Sequence, residues 1–202
     1  MSAYKNFVQD FPSRILKLYE TQLDSANYAC LEVTFLVSFA ATAIAVPFDR
    51  LRDPSKCMYP HLSDDRQKFS EAASRFDELC NMSFNKSALW DFVFDTWQWG
   101  IIRNISGDPD SWPELRLASR IGADVNTNKI IAHLRHALAH GNIYTRGDKL
   151  IEEIILLTGT SKKGFCFLVV SPQSLGVFLR KWVSWLMSLP IIPVSVVVED
   201  KK

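Results

Sequence analysis

Three of the four histidines in this sequence, His133, His136 and His140, fall within eight residues, and Arg135 stands among them. Imidazole is the side chain whose charge changes near neutral pH, so it can move a proton there. A guanidinium grips a phosphate through paired N–H groups and offsets charge that develops on it. Together these residue types suit phosphodiester chemistry. On a helix, positions 133, 136 and 140 share one face, because three- and seven-residue steps return to nearly the same azimuth. Arg135 lies off that stripe, but its side chain is long enough to curl toward it. His140 precedes Gly141 in the last turn, where the negative end of the helix dipole favours a protonated imidazole. The surrounding charge is positive: from Arg116 to Lys149 six Lys or Arg stand against Asp124 and Asp148, a formal +4. Arg116, Arg120, Lys129, His133, Arg146 and Lys149 are therefore the candidates for binding a polyanion beside Arg135, His136 and His140. Two other readings of the histidines stay open. They could ligate zinc, although no neighbouring Cys or carboxylate completes a familiar spacing, or they could be hydrogen-bonded groups in a helix–helix interface.

The cluster needs a helix from about 127 to 140, and Gly141 is placed to end it in the left-handed conformation. Around it the chain reads as helices, then a hairpin, then a helix. Phe7, Phe11, Ile15, Leu18 and Leu23 predict a first helix over 7–23. A central helix follows from about 26 to 48, with a loop over 49–62 that holds Pro54 and Pro60. Its weakly polar stripe, Thr34, Ser38 and Thr42, has small side chains that let another helix approach. Ser63 is a candidate N-cap, with Asp64 and Asp65 in the first turn and Phe69, Ala73, Phe76 and Cys80 at helical spacing behind it. A further helix is expected over about 86–104, with Trp90, Val93, Phe94, Trp97 and Ile101 as one packed stripe. Gly107 to Asp110 marks a turn. After the histidines, 150–157 and 165–170 are apolar, β-branched runs around a Gly-containing turn, which predicts a hairpin. Ser171-Pro172 opens a last helix with Leu175, Phe178, Leu179, Trp182, Leu186 and Leu189 inward, ended by Pro190 and Pro193. Residues 194–198 suggest a short strand. The fold class that results is α+β, predominantly α, in one domain over 1–189 with a tail over 190–202.

At 202 residues, 48% apolar and 12% aromatic, the chain can bury a real core. Its 23 basic and 22 acidic side chains nearly cancel, so attraction to nucleic acid has to be local rather than a property of the whole surface. The run from Val33 to Phe48 carries no formal charge, but it is shorter than a bilayer span and contains Pro47, so a buried helix and no membrane are expected. The wide spacing of Cys30, Cys57, Cys80 and Cys166 fits reduced packing cysteines. With an N-terminus that lacks an apolar run, this leads to a cytoplasmic expectation.

The run Ile131-Ala132-His133-Leu134-Arg135-His136-Ala137-Leu138-Ala139-His140-Gly141 resembles the HEPN signature: an arginine, a polar residue directly after it, and a histidine after four to six intervening residues. The layout is similar too, since some plasmid- and defence-associated HEPN subfamilies place an apolar helix like Glu32-Val33-Thr34-Phe35-Leu36 early and a hairpin plus helix after the motif. The resemblance implies an HEPN-like helical bundle and a metal-independent endoribonuclease, with no cofactor and no metal, acting as a homodimer whose two motifs face one cleft. RNA would be the substrate, and an antitoxin or regulatory protein a further partner in a toxin or phage-defence setting. Arg135 would hold the scissile phosphate, His140 would act in proton transfer, and His136 would orient the phosphate or the other histidine. The 2′-hydroxyl would be the nucleophile, leaving a cyclic phosphate and a free 5′-hydroxyl. The alternative is an inactive HEPN module that dimerises or binds RNA or a nucleotide. HEPN toxins paired with nucleotidyltransferase antitoxins carry tyrosine two residues after the histidine. Here that place is Asn142 and the nearest tyrosine is Tyr144.

Overall fold

The computed structural model describes residues 7–28, 31–52, 66–103, 105, 108–121, 125–148, 150–160 and 164–190. Five helices carry most of the described chain: α1 (Phe7–Tyr28), α2 (Glu32–Arg52), α3 (Arg66–Asn81), α4 (Thr127–His140) and α5 (Pro172–Met187). The fold class is α+β, predominantly α.

α2 departs from the expected 26–48. It starts at Glu32 and runs through Pro47 to Arg52, absorbing the first residues of the expected loop. A proline inside a helix leaves the carbonyl four residues earlier without its N–H donor. Here the Trp182 indole N–H, from α5, donates to the Ala43 carbonyl at 2.9 Å and fills that vacancy. The helix thus continues because a tertiary contact replaces the missing bond. Among the described residues α2 is the one helix long and apolar enough to cross a membrane. In this fold it is the central helix, packed against α1, α3, α4 and α5, with Leu36, Ala40, Ala43 and Ile44 fully or nearly buried. Its Thr34, Ser38 and Thr42 are exposed rather than covered by another of the described helices. The Ser38 and Thr42 hydroxyls donate back to carbonyls one turn earlier.

The helix expected over 86–104 does not form. Two 3₁₀ turns, Phe84–Lys86 and Phe92–Thr96, lead into strand β1 (Gln98–Ile102). Local side-chain bonds compete with the helix: Asp91 accepts from the Val93 N–H, and the Ser87 hydroxyl donates to the Phe84 carbonyl. The threefold period of a 3₁₀ turn also mimics the spacing that suggested a helix. The aromatics are core all the same. Phe84, Phe94 and Trp97 are fully buried against Phe178, and the Trp97 indole N–H donates to Ser174 Oγ at 2.7 Å. Ile101, expected on the same stripe, is exposed instead.

The expected hairpin is real, β4 (Glu153–Thr160) with β5 (Gly164–Val170), but it is the middle of a larger sheet. With β2 (Ser119–Arg120) and β3 (Ile143–Arg146) the described strands form one antiparallel sheet in the order β2-β1-β5-β4-β3. Ile154 and Leu156 face the helices, while Ile155 and Leu157 join Phe167, Val169, Trp112 and Leu115 on the other side. Both faces are covered, which is why the run reads as continuously apolar rather than alternating. Gly100 lies opposite Phe167. A Cβ there would meet the Phe167 ring at 2.4 Å, and that ring is fully buried. Gly100→Ala is expected to destabilise the fold by about 1–3 kcal/mol, read as a lower denaturant midpoint.

α5 opens as expected, with the Ser171 hydroxyl accepting from the Ser174 N–H and Pro172 in the first turn. Cys80 is buried and free, its thiol pushed up to about 12 by burial first and by Asp77 second, which keeps it inert. The proposed N-cap at Ser63 and the strand over 194–198 lie outside the described residues.

Candidate functional site

α4 is fixed at both ends by capping residues, of which Gly141 is marked in the sequence. The Asn126 side chain caps its start by accepting from the Lys129 N–H at 2.9 Å. Gly141 ends it with φ 66° and ψ 21°, where a side chain would be strained, and Asn142 N–H donates back to the Ala137 carbonyl. Ile130, Ile131, Leu134 and Ala137 are fully buried and lock the helix onto α2 and the sheet. Leu138 is buried with them, while Arg135, His136, Ala139 and His140 remain partly or fully at the surface and form the candidate site.

His136 and His140 are both exposed, with ring centroids 4.4 Å apart. Partial desolvation, then the neighbouring His140 and Arg135, hold His136 below its ordinary value, so its neutral form is favoured near pH 7. A neutral imidazole beside a second one can accept a proton while its neighbour gives one. Arg135, partly buried, reaches across to α2, where its Nη2 donates to Asp49 Oδ2 at 2.7 Å. Its Nε is shielded and has no hydrogen-bond partner among the described residues. The guanidinium is thus aimed by one carboxylate, with its side chain still partly exposed.

Asp49 is the residue that sequence reasoning missed. In the sequence it falls on the first residue of the expected loop, and only the run of α2 through Pro47 puts it in a helix's last turn, beside Arg50 and Arg52. Its pair with Arg135 is half exposed, and such pairs stabilise little, on the order of 0–1 kcal/mol. Its effect is expected on the ligand instead. Asp49→Asn should leave the melting temperature nearly unchanged and tighten RNA binding several-fold at low salt, measured by fluorescence anisotropy. Weaker binding would mean that the carboxylate is needed to hold Arg135 in place.

His133 belongs to a different environment from its two neighbours on the stripe. It is buried, and its Nε2 lies 2.8 Å from the Leu156 carbonyl. A carbonyl can only accept, so Nε2 carries the proton and Nδ1 accepts from the Thr158 hydroxyl at 2.9 Å. Trp99 packs edge-on against the ring at 4.7 Å. Burial pushes His133 down to about 4, so it stays neutral at working pH. With both nitrogens engaged it cannot join His136 and His140 on a metal, which removes the three-histidine zinc reading. It also cannot offer a positive charge to a phosphate at neutral pH.

The other candidates divide. Lys129 is exposed on the first turn of α4, its ammonium 4.8 Å from the centre of the Trp99 ring, and Arg120 is exposed on β2. Arg146 is held on β3 by Glu153, with Asp110 3.9 Å away, so its charge is already matched. Lys149 lies outside the described residues, as does the side chain of Arg116.

A family model described as HEPN pEK499 p136 matches residues 1–191 of the chain. No curated protein and no solved structure matches it.

Proposed function

Because the chain belongs to the HEPN pEK499 p136 family, we propose that it is an endoribonuclease that cleaves RNA by attack of the 2′-hydroxyl, without a metal, at the exposed end of α4. The observation that supports this most is the two imidazoles of His136 and His140 in contact, with the partly exposed Arg135 guanidinium close enough to His136 to act on its charge.

In this reading Arg135 binds the scissile phosphate. A histidine takes the proton of the 2′-hydroxyl, whose oxygen attacks phosphorus. The bond from phosphorus to the 5′-oxygen breaks, and a proton delivered to that oxygen completes the reaction. The products are a 2′,3′-cyclic phosphate and a 5′-hydroxyl, and no water is consumed. His140 is the proton-transfer group, and His136 orients the phosphate or shares the proton. DNA lacks the nucleophile and should survive. The setting we propose is a toxin or phage-defence system, with an antitoxin or regulatory protein as partner.

One helix end leaves the phosphate open to solvent, so the active form proposed is a homodimer in which two α4 ends face one cleft. Light scattering at micromolar concentration should report twice the 23.0 kDa of one chain. The test of activity is purified protein with total RNA in EDTA, beside DNA of matching length. RNA should be cut and DNA left intact. RNA that stays whole while the protein is folded and dimeric would contradict the nuclease reading and leave a binding module.

A further inference from the structure

Beside His136 a groove of about 340 Å³ opens between α4 and the sheet. Trp99 from β1, Thr158 from β4 and Cys166 from β5 form one wall, and α4 forms the other from Lys129 to His136. Those two residues are seven positions apart, about 10 Å along the helix axis. We propose that this groove binds one nucleobase of the RNA, next to the phosphate held at His136 and Arg135, with the base stacked on Trp99 and Lys129 on the adjoining phosphate.

Three observations carry the proposal. The first is charge. Among the described residues no carboxylate lines this groove, and Lys129 and His136 line it. A second groove, of about 490 Å³, is lined by Asp110, Asp148, Glu152 and Glu153 around Arg146, and would repel the same ligand. The second is the Trp99 ring, capped by the Lys129 ammonium. An exposed cation–π contact is weaker than a stacked base, so a nucleotide can draw the ammonium to its phosphate and put its base in the ammonium's place. The third is the hydrogen-bond order behind the wall. The Leu156 carbonyl fixes the His133 tautomer, His133 Nδ1 accepts a hydrogen bond from the Thr158 hydroxyl, and the Thr158 oxygen is left as an acceptor. An acceptor at that wall suits an N–H on a base edge. The phosphate at His136 rests on the nuclease reading. The base contact rests on the groove itself.

Cys166, a free and half-buried thiol in the wall, reports occupancy without any need for turnover. The full chain is treated with iodoacetamide, and alkylation of the Cys166 peptide is followed by mass spectrometry. Wild type is tested with AMP and with CMP, and the His140→Ala protein with a short single-stranded RNA. Each should slow Cys166 alkylation at saturation, by about fivefold or more, while ribose 5-phosphate should not. Trp99→Leu should weaken RNA binding about tenfold and remove the protection at the original concentration, and Trp99→Phe should restore much of it. RNA bound by anisotropy with Cys166 alkylated at its free rate overturns the proposal. So does equal protection by ribose 5-phosphate, which would make the groove an anion site. Protection by AMP in a protein that never cuts RNA would keep the groove as a nucleotide site and dismiss the nuclease reading. Cleavage with no protection by any of the three nucleotide ligands would do the reverse.

Discussion

His140→Ala is expected to slow RNA cleavage on the order of 10²–10⁴-fold, the usual cost of removing one proton-transfer group. The side chain is exposed and at the helix end, so the change should leave stability within about 0.5 kcal/mol, as for surface positions away from the core. That pairing of a large kinetic effect with a small thermodynamic one is what separates a catalytic histidine from a packing one. Arg135→Ala should match it in rate, because the phosphate then loses its clamp. Arg135→Lys should recover only part of the loss, since an ammonium supplies charge without the planar fork. Initial rates on a fluorogenic RNA, read beside melting curves, check both. Equal rates for wild type and His140→Ala would place the chemistry elsewhere, whereas early melting of both variants would make the cluster structural.

Acid should weaken the fold through His133, and this is the second large effect. The ring is buried and held down to about 4, against 6.5 for an unperturbed histidine, by burial above all. The Leu156 carbonyl acts in the opposite direction, and His136 and Lys129 add to the lowering. Between these two values the unfolded chain binds a proton that the folded chain refuses. Stability from this residue is therefore complete above about pH 6.5, declines as the pH falls, and levels off below about pH 4. The gap between 6.5 unfolded and about 4 folded corresponds to about 3 kcal/mol. His133→Gln does not titrate, and its amide can still donate to the Leu156 carbonyl. The wild-type urea midpoint should fall more than that of His133→Gln between pH 7 and pH 4.5. Parallel falls in the two proteins would mean that His133 is not the group responsible.

The same residue shows where sequence reasoning stops. The spacing of His133, His136 and His140 put three imidazoles on one side of α4, and they are there. Periodicity cannot say that β4 passes over the first of them while the helix end carries the other two into solvent. That division depends on Thr158 and Leu156, more than twenty residues further on, and on Trp99 from a strand that read as helix. Capping was legible because its causes are local. Gly141, Ser171 and Pro172 act within a turn of where they stand, so those boundaries follow from residue type, while the Asn126 cap was not read from the sequence. The run through Pro47 was not legible, since it depends on an indole supplied from α5. Nor was Arg135 meeting Asp49, because the partner lies 86 positions away in another helix. Arg146 read as a free cation until Glu153 was brought opposite it in the β3–β4 pair.

If the α4 cluster activates the 2′-hydroxyl of RNA rather than water, the ends of the cleaved strand carry the record. They are read by mass spectrometry of the fragments produced from a defined RNA oligonucleotide in EDTA. The expected result is a 2′,3′-cyclic phosphate on one fragment and a 5′-hydroxyl on the other, with both absent in the His140→Ala reaction. A 3′-hydroxyl paired with a 5′-phosphate would contradict this chemistry, because that outcome requires water or another external nucleophile to attack phosphorus.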